Sequence, residues 1–269
     1  MARKKKLKKD NRKIIRLIII ISIIVVVSFV FLMTFLVKHQ KFFNVISEQK
    51  EIAKYKKDNP YTIVGWLRVQ GTNIDYPVLF YDDAPISDVT QNFGWTFKDT
   101  NKLQDRTVIE GHNIMNMSSN PSIADKNSKR FEQLLSFYDP DFVKNNKYIE
   151  YSTGDSNYMF KIFAVGFPEI ESYYMQSDFE GNEKEEYINN AIDDSLYKFD
   201  VDVDTEDKII SLYTCTKFFG YDKAVSFRID GRLVRKNEKI ENYKFSKTVN
   251  YDEAKKYSKS VTKSQEVNS

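Results

Sequence analysis

The chain has 269 residues, with 41 basic and 38 acidic side chains, two histidines and one cysteine. A single cysteine excludes an internal disulfide, and so few thiols and imidazoles leave no cluster for a typical zinc site. The basic excess is local, because residues 1–16 hold nine Lys or Arg and one Asp, and without them 32 basic and 37 acidic residues remain. The rest of the chain is acidic and shows no basic face that would indicate nucleic-acid binding.

The N-terminal part of the chain consists of the basic segment 1–16 and an apolar segment, residues 17–37. The apolar segment has no charge, and its polar members are Ser22, Ser28 and Thr34. At about 1.5 Å of rise per residue, such a helix spans a hydrocarbon core of roughly 30 Å. It is longer than a signal-peptide core of about 7 to 15 residues, and no small-residue cleavage site follows it. The pattern predicts an uncleaved membrane anchor with a cytoplasmic N-terminus and an extracytoplasmic remainder.

After the anchor, residues 38–60 form a predicted helical segment that Asn59-Pro60 ends. From Tyr61 the pattern changes to short strands, and the first two, 62–69 and 74–80, form a predicted hairpin. Further strands are predicted at 106–109, 148–151, 158–167, 208–213 and 224–234.

Two helical patterns interrupt the predicted strands, at 128–137 and 183–199. We therefore expect residues 61–236 to form one mostly β domain, a β-barrel with added helices. Residues 237–269 are predicted to be a polar C-terminal tail, either mobile or with one marginal helix, because they show little periodicity.

The only cysteine and one of the two histidines each end an apolar, strand-like run. Cys215 ends the run that begins at Ile209, and His112 follows the run 106–110. His39 directly follows the predicted anchor, so His112 is the only imidazole in the predicted domain. A thiol and an imidazole at two strand ends indicate nucleophilic catalysis, because an imidazolium stabilises a thiolate. The alternatives are that Cys215 is a small buried hydrophobe and His112 a structural histidine.

The sequence predicts no cofactor and no metal site. The acidic pairs Asp82-Asp83 and Asp193-Asp194 lack loop glycines at calcium-site spacing, and we interpret them as solvated surface charges. The chain contains neither a GxGxxG motif nor a P-loop.

Three segments, in order along the chain, resemble the motifs of the class B sortases. They are 64–67 with 71–78, then 107–113, and finally Ser211-Leu212-Tyr213-Thr214-Cys215. The last is similar to the sortase signature Thr-Leu-x-Thr-Cys, with Ser in the first position. The resemblance covers residues 61–235. It implies a closed β-barrel of about eight strands, with an N-terminal helix and a helix before the cysteine strand.

The resemblance also implies an activity, that of a cysteine transpeptidase of a Gram-positive bacterium. Such an enzyme cleaves a sorting signal in secreted proteins through a thioester and passes the acyl group to an amine of peptidoglycan or lipid II. The expected location is the cell membrane, with a single span and the catalytic domain outside. Two alternatives remain open: a cysteine hydrolase acting on wall peptides, and a degenerate sortase-fold binding module.

A further implication of the resemblance is an arginine on the strand after the cysteine, where its charge stabilises the oxyanion. Aligned on Gly231, the arginine position of the family falls on Ser226. Arg228 lies two residues further on and therefore projects from the same face of a strand. We expect Arg228 to fill this role together with Cys215 and His112 as the catalytic residues. The alternatives are Lys223, Arg232, no basic residue at all, or a surface role for Arg228 beside a carboxylate.

Overall fold

The computed structural model describes residues 20–22, 26–29, 49–114, 129–168, 176–219 and 225–257. The chain divides into two compact units, Met1–Ser47 and Glu48–Ser269. In the first unit, residues 20–22 and 26–29 are helical. The remainder of the predicted anchor, 17–37, lies outside the described residues. Across the described ranges, no helix combines the length and the apolar character needed to cross a membrane.

The second unit contains a closed β-barrel of eight strands. In chain order these strands are β1 (Ile63–Val69), β2 (Asp75–Phe80), β3 (Gly94–Thr96), β4 (Arg106–Glu110), β5 (Tyr148–Ser152), β6 (Asn157–Gly166), β8 (Ile209–Thr216) and β9 (Val225–Leu233). Around the barrel their order is β1, β2, β3, β4, β8, β9, β6, β5. Closure removes the unpaired edges that an open sheet would expose. The predicted mostly β fold, with a barrel of about eight strands, is confirmed.

Helices and a small second sheet surround the barrel. Helix α1 includes residues 49–58, and α4 includes residues 249–257. Between them lie a 3-10 helix, η1 (Glu132–Tyr138), and the helices α2 (Pro140–Asn145) and α3 (Glu183–Asp193). Strands β7 (Tyr197–Phe199) and β10 (Phe245–Lys247) pair with each other outside the barrel.

The predicted helix at 183–199 is too long, because α3 ends at Asp193 and residues 197–199 form β7 instead. The Leu196 N–H donates to the carbonyl of Val165 at 2.7 Å, and β7 pairs with β10. These contacts come from segments that are distant in sequence, so the local helical pattern could not reveal them.

The C-terminal residues contain one helix, α4, and the short strand β10, which the composition does not predict. Tyr251 and Ala254 of α4 are buried, and the ring of Tyr251 stacks on that of Tyr138 with centroids 5.5 Å apart. The Tyr257 hydroxyl donates to the carbonyl of Phe219. A polar helix can be anchored by a few apolar side chains on one face, and this stripe is short enough to escape a search for periodicity.

The strands of the barrel have an inner and an outer apolar face. Inside, the core includes Leu212 of β8 and Phe227 of β9. Outside, α1 places Ile52 in a cluster with Trp95, and α3 packs Tyr187 in a cluster with strand residues of the barrel. Because side chains alternate along a strand, the odd-numbered residues of β8 from 209 to 215 lie on the outer face. The thiol of Cys215 therefore projects from the outer face of β8 near the C-terminal end of the strand.

Candidate active site

The parallel strands β4 and β8 bring together the segments that carry the predicted catalytic thiol and imidazole. The Gly111 N–H donates to the carbonyl of Tyr213 at 3.1 Å. One residue further on, the Thr214 hydroxyl donates to the carbonyl of Gly111 at 2.8 Å. Both hydrogen bonds join the segment directly before His112 to the segment directly before Cys215. The structure therefore places His112 and Cys215 at the same end of two neighbouring strands.

Gly111 allows the backbone before His112 to pack tightly. A β-carbon at position 111 would overlap the ring of Phe131, which is itself fully buried. The Phe131 N–H also donates to the carbonyl of His112 at 3.0 Å. A larger residue at 111 would push away the turn that carries the imidazole.

The imidazole of His112 is half-buried and has contacts on two sides. Its Nε2 lies 2.6 Å from the carbonyl oxygen of Ile86, and its ring packs against that of Trp95 with centroids 4.8 Å apart. A carbonyl oxygen only accepts hydrogen bonds, so Nε2 carries the hydrogen in this contact. Nδ1 is then the ring nitrogen that remains available to take up or release a proton.

Cys215 is exposed and its thiol is free. Its cross-strand partner on β9 is Ser226. Partial desolvation by the surrounding protein raises the pKa of the thiol, and the nearby Glu110 carboxylate raises it further. Because the thiolate is the reactive form, a proton acceptor close to Cys215 is needed for attack near neutral pH.

Glu110 is a residue that the sequence analysis did not single out. It is buried at the end of β4, two residues before His112, and accepts a hydrogen bond of 3.0 Å from Nε1 of Trp95. A signal was available in the sequence, because Glu110 directly follows Val108-Ile109 in a predicted strand, and a carboxylate is costly to bury without a partner.

Arg228 lies on β9, where the register pairs it with Tyr213, two residues before Cys215. Cross-strand partners project from the same side of a sheet, so Arg228 and Cys215 share a face. The Arg228 side chain is 5% exposed, and its Nε lies 2.6 Å from Oδ2 of Asp230. Burial works against the charge of the guanidinium, but Asp230 outweighs this effect and keeps the pKa of Arg228 above its ordinary value. The guanidinium is therefore a permanent cation with a carboxylate partner.

The other basic residues that we considered for the arginine role are Arg232 and Lys223. Arg232 pairs in register with Ile209 at the far end of β8, and its Nη2 lies 2.8 Å from Oε1 of Glu238. Lys223 lies outside the described residues. Within the described part of β9, Arg228 is the basic residue closest in register to Cys215.

On the same outer face, further from the C-terminal end of β8 than Cys215, lies a set of buried polar side chains that we call the outer polar cluster. Its members are Arg106, Tyr187, Ser211, Tyr213, Arg228 and Asp230. Arg106 donates from Nε to the Ser211 hydroxyl at 2.8 Å and from Nη2 to the Tyr213 hydroxyl at 2.6 Å. Ser211 in turn donates to Asp230 at 2.6 Å. Elsewhere in the described ranges, as here, no three His, Cys, Asp or Glu side chains are grouped so that they could hold a metal ion.

The barrel is that of the sortases. The structure of the Staphylococcus aureus sortase B–substrate complex matches with a TM-score of 0.57 at 18% identity, over 76% of this chain and 91% of that one. A structure of sortase B complexed with triglycine matches with a TM-score of 0.52 at 18% identity, over 74% of this chain and 99% of that one. At these identities, the two structures establish a common fold.

Sequence identity establishes the family. Sortase B of Listeria monocytogenes is 32% identical over 203 residues, which cover 71% of this chain and 76% of that protein. No protein-family model matches the chain. The chain belongs to the sortase B family, and it is a sortase-type cysteine transpeptidase.

Proposed function

We propose that this transpeptidase cleaves a sorting signal in secreted proteins and transfers them to an amine of peptidoglycan or lipid II. One observation carries the proposal. The only thiol of the chain is exposed at the end of β8, beside the strand end that carries the only imidazole of the barrel unit. The structural relatives described above include one complex with a substrate and one with triglycine. An acyl donor and an amine acceptor are the two ligands that transpeptidation requires.

In the first half of the proposed reaction, Cys215 gives its proton to Nδ1 of His112 and attacks the carbonyl carbon of the scissile peptide bond. The electron pair of the carbonyl moves to oxygen and forms a tetrahedral oxyanion. When the carbonyl reforms, the C–N bond breaks and the departing nitrogen takes the proton from His112, which leaves a thioester on Cys215. The hydrogen bond from Nε2 to Ile86 holds the ring in place while it is positively charged.

In the second half, the accepting amine attacks the thioester carbon. The amine loses one proton to His112, the C–S bond breaks, and the proton returns to the sulfur of Cys215. The products are a new amide bond and the free thiol. Water in place of the amine would give the carboxylic acid, so the choice of nucleophile distinguishes a transpeptidase from a hydrolase.

We assign stabilisation of the oxyanion to Arg228. Its position in the β8–β9 ladder is two residues from that of Cys215, which corresponds to roughly 7 Å of strand rise. A substrate carbonyl bound over Cys215 can lie between the two groups. A guanidinium has five N–H donors, so the ion pair at Nε does not exhaust them.

We place the enzyme at the outer surface of the cell membrane, with residues 17–37 as the anchor. The support comes from the sequence, in which nine basic residues precede an uncharged apolar segment. The division of the chain after Ser47 agrees with an anchor that is separate from the catalytic unit.

The test is a transfer assay on the full chain in detergent micelles, with a library of sorting-type pentapeptides and triglycine as the amine. Mass spectrometry should detect an acyl adduct on Cys215 and a peptide ligated to triglycine. Cys215→Ala should abolish both. A product that is only the hydrolysed acid, despite excess triglycine, would favour the hydrolase. The absence of any adduct would favour the binding module.

A further inference from the structure

A buried carboxylate lies next to the proposed catalytic pair and has no part in the steps above. Glu110 is 8% exposed and ends β4. The β4–β8 register pairs it with Tyr213, so its side chain leaves the same face of the sheet as that of Cys215. Burial of a carboxylate costs free energy unless other groups compensate for it. The buried charge at the end of β4 therefore calls for a physical reason.

The Glu110 carboxylate holds the indole of Trp95. The two residues are direct cross-strand partners on β3 and β4, and the indole Nε1 donates to Oε2 at 3.0 Å. The ring of Phe93 packs against the indole with centroids 6.0 Å apart, and Trp95 is 7% exposed. A hydrogen bond at one edge and packing on the ring together hold the indole in one rotamer.

The same indole forms one wall of the imidazole site. Its ring lies 4.8 Å from the ring of His112, centroid to centroid, with 59° between the planes. The other restraint on His112 is the hydrogen bond from Nε2 to Ile86. Together the two contacts set the plane of the imidazole, and they therefore set the direction in which Nδ1 points.

We propose that Glu110 is a positioning residue for the His112 imidazole and that it acts through Trp95. The inference rests on the proposed role of His112 as the proton carrier. The carboxylate orients the indole, the indole orients the imidazole, and the imidazole presents Nδ1 to the thiol of Cys215.

The charge of Glu110 has a second consequence, for the pH range of the reaction. The titratable or charged side chains closest in register to Cys215 are Glu110 at the end of β4, His112 directly after it, Tyr213 on β8 and Arg228 on β9. Arg106, Asp230 and Arg232 lie further along these strands. The carboxylate of Glu110 opposes a negative charge on Cys215 and raises the pKa of the thiol, after the larger effect of desolvation. Removal of this charge should therefore lower the pKa of the thiol.

The chain contains a matched control for the Glu110–Trp95 pair. The second tryptophan, Trp66, also donates from Nε1 to a carboxylate, at 2.6 Å from Oδ1 of Asp75. This pair lies on the β1–β2 hairpin, away from β4 and β8. Trp66→Phe thus removes the same kind of hydrogen bond at Asp75 and keeps an aromatic ring against the apolar cluster that Trp66 shares with Trp95, so it tests the loss of such a bond without removing the one at Glu110.

The experiment measures kcat and KM for transfer of a sorting peptide to triglycine by the full chain. Trp95→Phe and Glu110→Ala should lower kcat by about 10- to 100-fold and leave KM almost unchanged, because a displaced imidazole transfers protons poorly without altering peptide binding. Glu110→Gln keeps an acceptor for the indole N–H and should restore most of kcat. It should also move the pH profile of Cys215 alkylation by iodoacetamide to lower pH. Trp66→Phe should leave kcat and the pH profile unchanged.

Unchanged kcat in Trp95→Phe and Glu110→Ala would overturn the positioning role. If His112→Ala were inactive in the same assay, the proposed function would still stand. If His112→Ala kept its turnover, the proposed function itself would fail. A Glu110→Gln variant as slow as Glu110→Ala would also contradict the proposal, because the loss would then depend on charge and not on the hydrogen bond. Should Glu110→Ala fail to fold, Trp95→Phe and Glu110→Gln decide between these outcomes.

Discussion

The outer face of β8 carries two polar regions that differ in burial. At the C-terminal end of the strand, Cys215 is exposed and the neighbouring His112 is half-buried. Two and four residues earlier, Tyr213 and Ser211 belong to the outer polar cluster, where α3 contributes Tyr187 and every member is buried. The same face of one strand thus holds a reactive end and an enclosed polar network.

The difference follows from α3, which covers the outer polar cluster and leaves Cys215 exposed. Under α3, water is excluded, and hydrogen bonds between Arg106, Ser211 and Asp230 are stronger electrostatically than they would be in water. Beyond α3, the thiol remains open to a peptide. Arg228 belongs to both regions, because it is ion-paired in the cluster and is the nearest β9 cation to Cys215. We expect mutations in the two regions to separate turnover from stability.

Among the variants that keep Cys215, the largest effect is expected at the reactive end, from His112→Ala. General acid and base catalysis by a side chain typically contributes about 10²- to 10⁴-fold, and the variant should lose turnover in this range. The free energy of unfolding should change little, since the imidazole is half-buried. The measurement is kcat/KM for transfer, with His39→Ala as the control, because His39 is the only other histidine. Equal losses in the two variants would remove the distinction between the histidines.

Arg228→Ala should affect both regions. Loss of an oxyanion donor typically costs about 10²- to 10³-fold in turnover. Arg228→Lys keeps the charge but loses the planar fork of donors, so it should recover only part of the loss. Removal of the cation also leaves Asp230 buried without its ion-pair partner, which should lower the free energy of unfolding by about 3 to 5 kcal/mol. The measurements are urea denaturation and turnover per folded molecule.

Arg232→Ala is the matched control for Arg228→Ala, because Arg232 is a second buried arginine on β9 with a carboxylate partner, Glu238. It should lower stability without lowering turnover per folded molecule. If Arg228→Ala behaved in the same way, the oxyanion would be held by other groups, such as backbone N–H groups around Cys215.

A smaller effect is expected within the outer polar cluster, from Ser211→Ala. The change removes hydrogen bonds to Arg106 and Asp230 and leaves buried polar atoms less well satisfied, which typically costs about 1 to 3 kcal/mol. Urea denaturation should show this loss, while kcat stays within about twofold because Ser211 lies four residues from Cys215 and is covered by α3. A loss of turnover as large as that of Arg228→Ala would show that the two regions act as one.

The smallest effect should follow from removal of residues 1–40. Both polar regions lie in the unit Glu48–Ser269, so the shortened chain should keep kcat and KM for a short peptide. Its solubility without detergent should increase if residues 17–37 are the anchor. A shortened chain that folds but does not turn over the peptide would contradict this separation of roles.

The sequence alone was sufficient for most strands of the barrel and for the identity of the proposed nucleophile, and the resemblance to the sortases supplied the closure of the barrel. Alternating apolar residues mark a strand such as β1 or β9, because a half-buried strand must place every second side chain in the core. The uniqueness of Cys215 and the scarcity of histidine then single out two side chains by count. The three-residue strand β3 was missed, since Gly94–Thr96 is too short to show any alternation.

The tertiary structure decided the surroundings of those side chains. Parallel pairing of β4 with β8 brings Glu110 beside Tyr213, and antiparallel pairing of β3 with β4 brings Trp95 beside Glu110. The burial of Asp230, the ion-pair partner of Arg228, likewise depends on α3, because Tyr187 of α3 donates a hydrogen bond to Asp230. Local patterns report which face of a strand is apolar, but they do not report which strands are neighbours. The environment of a side chain depends on those neighbours, so it is set only when the barrel closes.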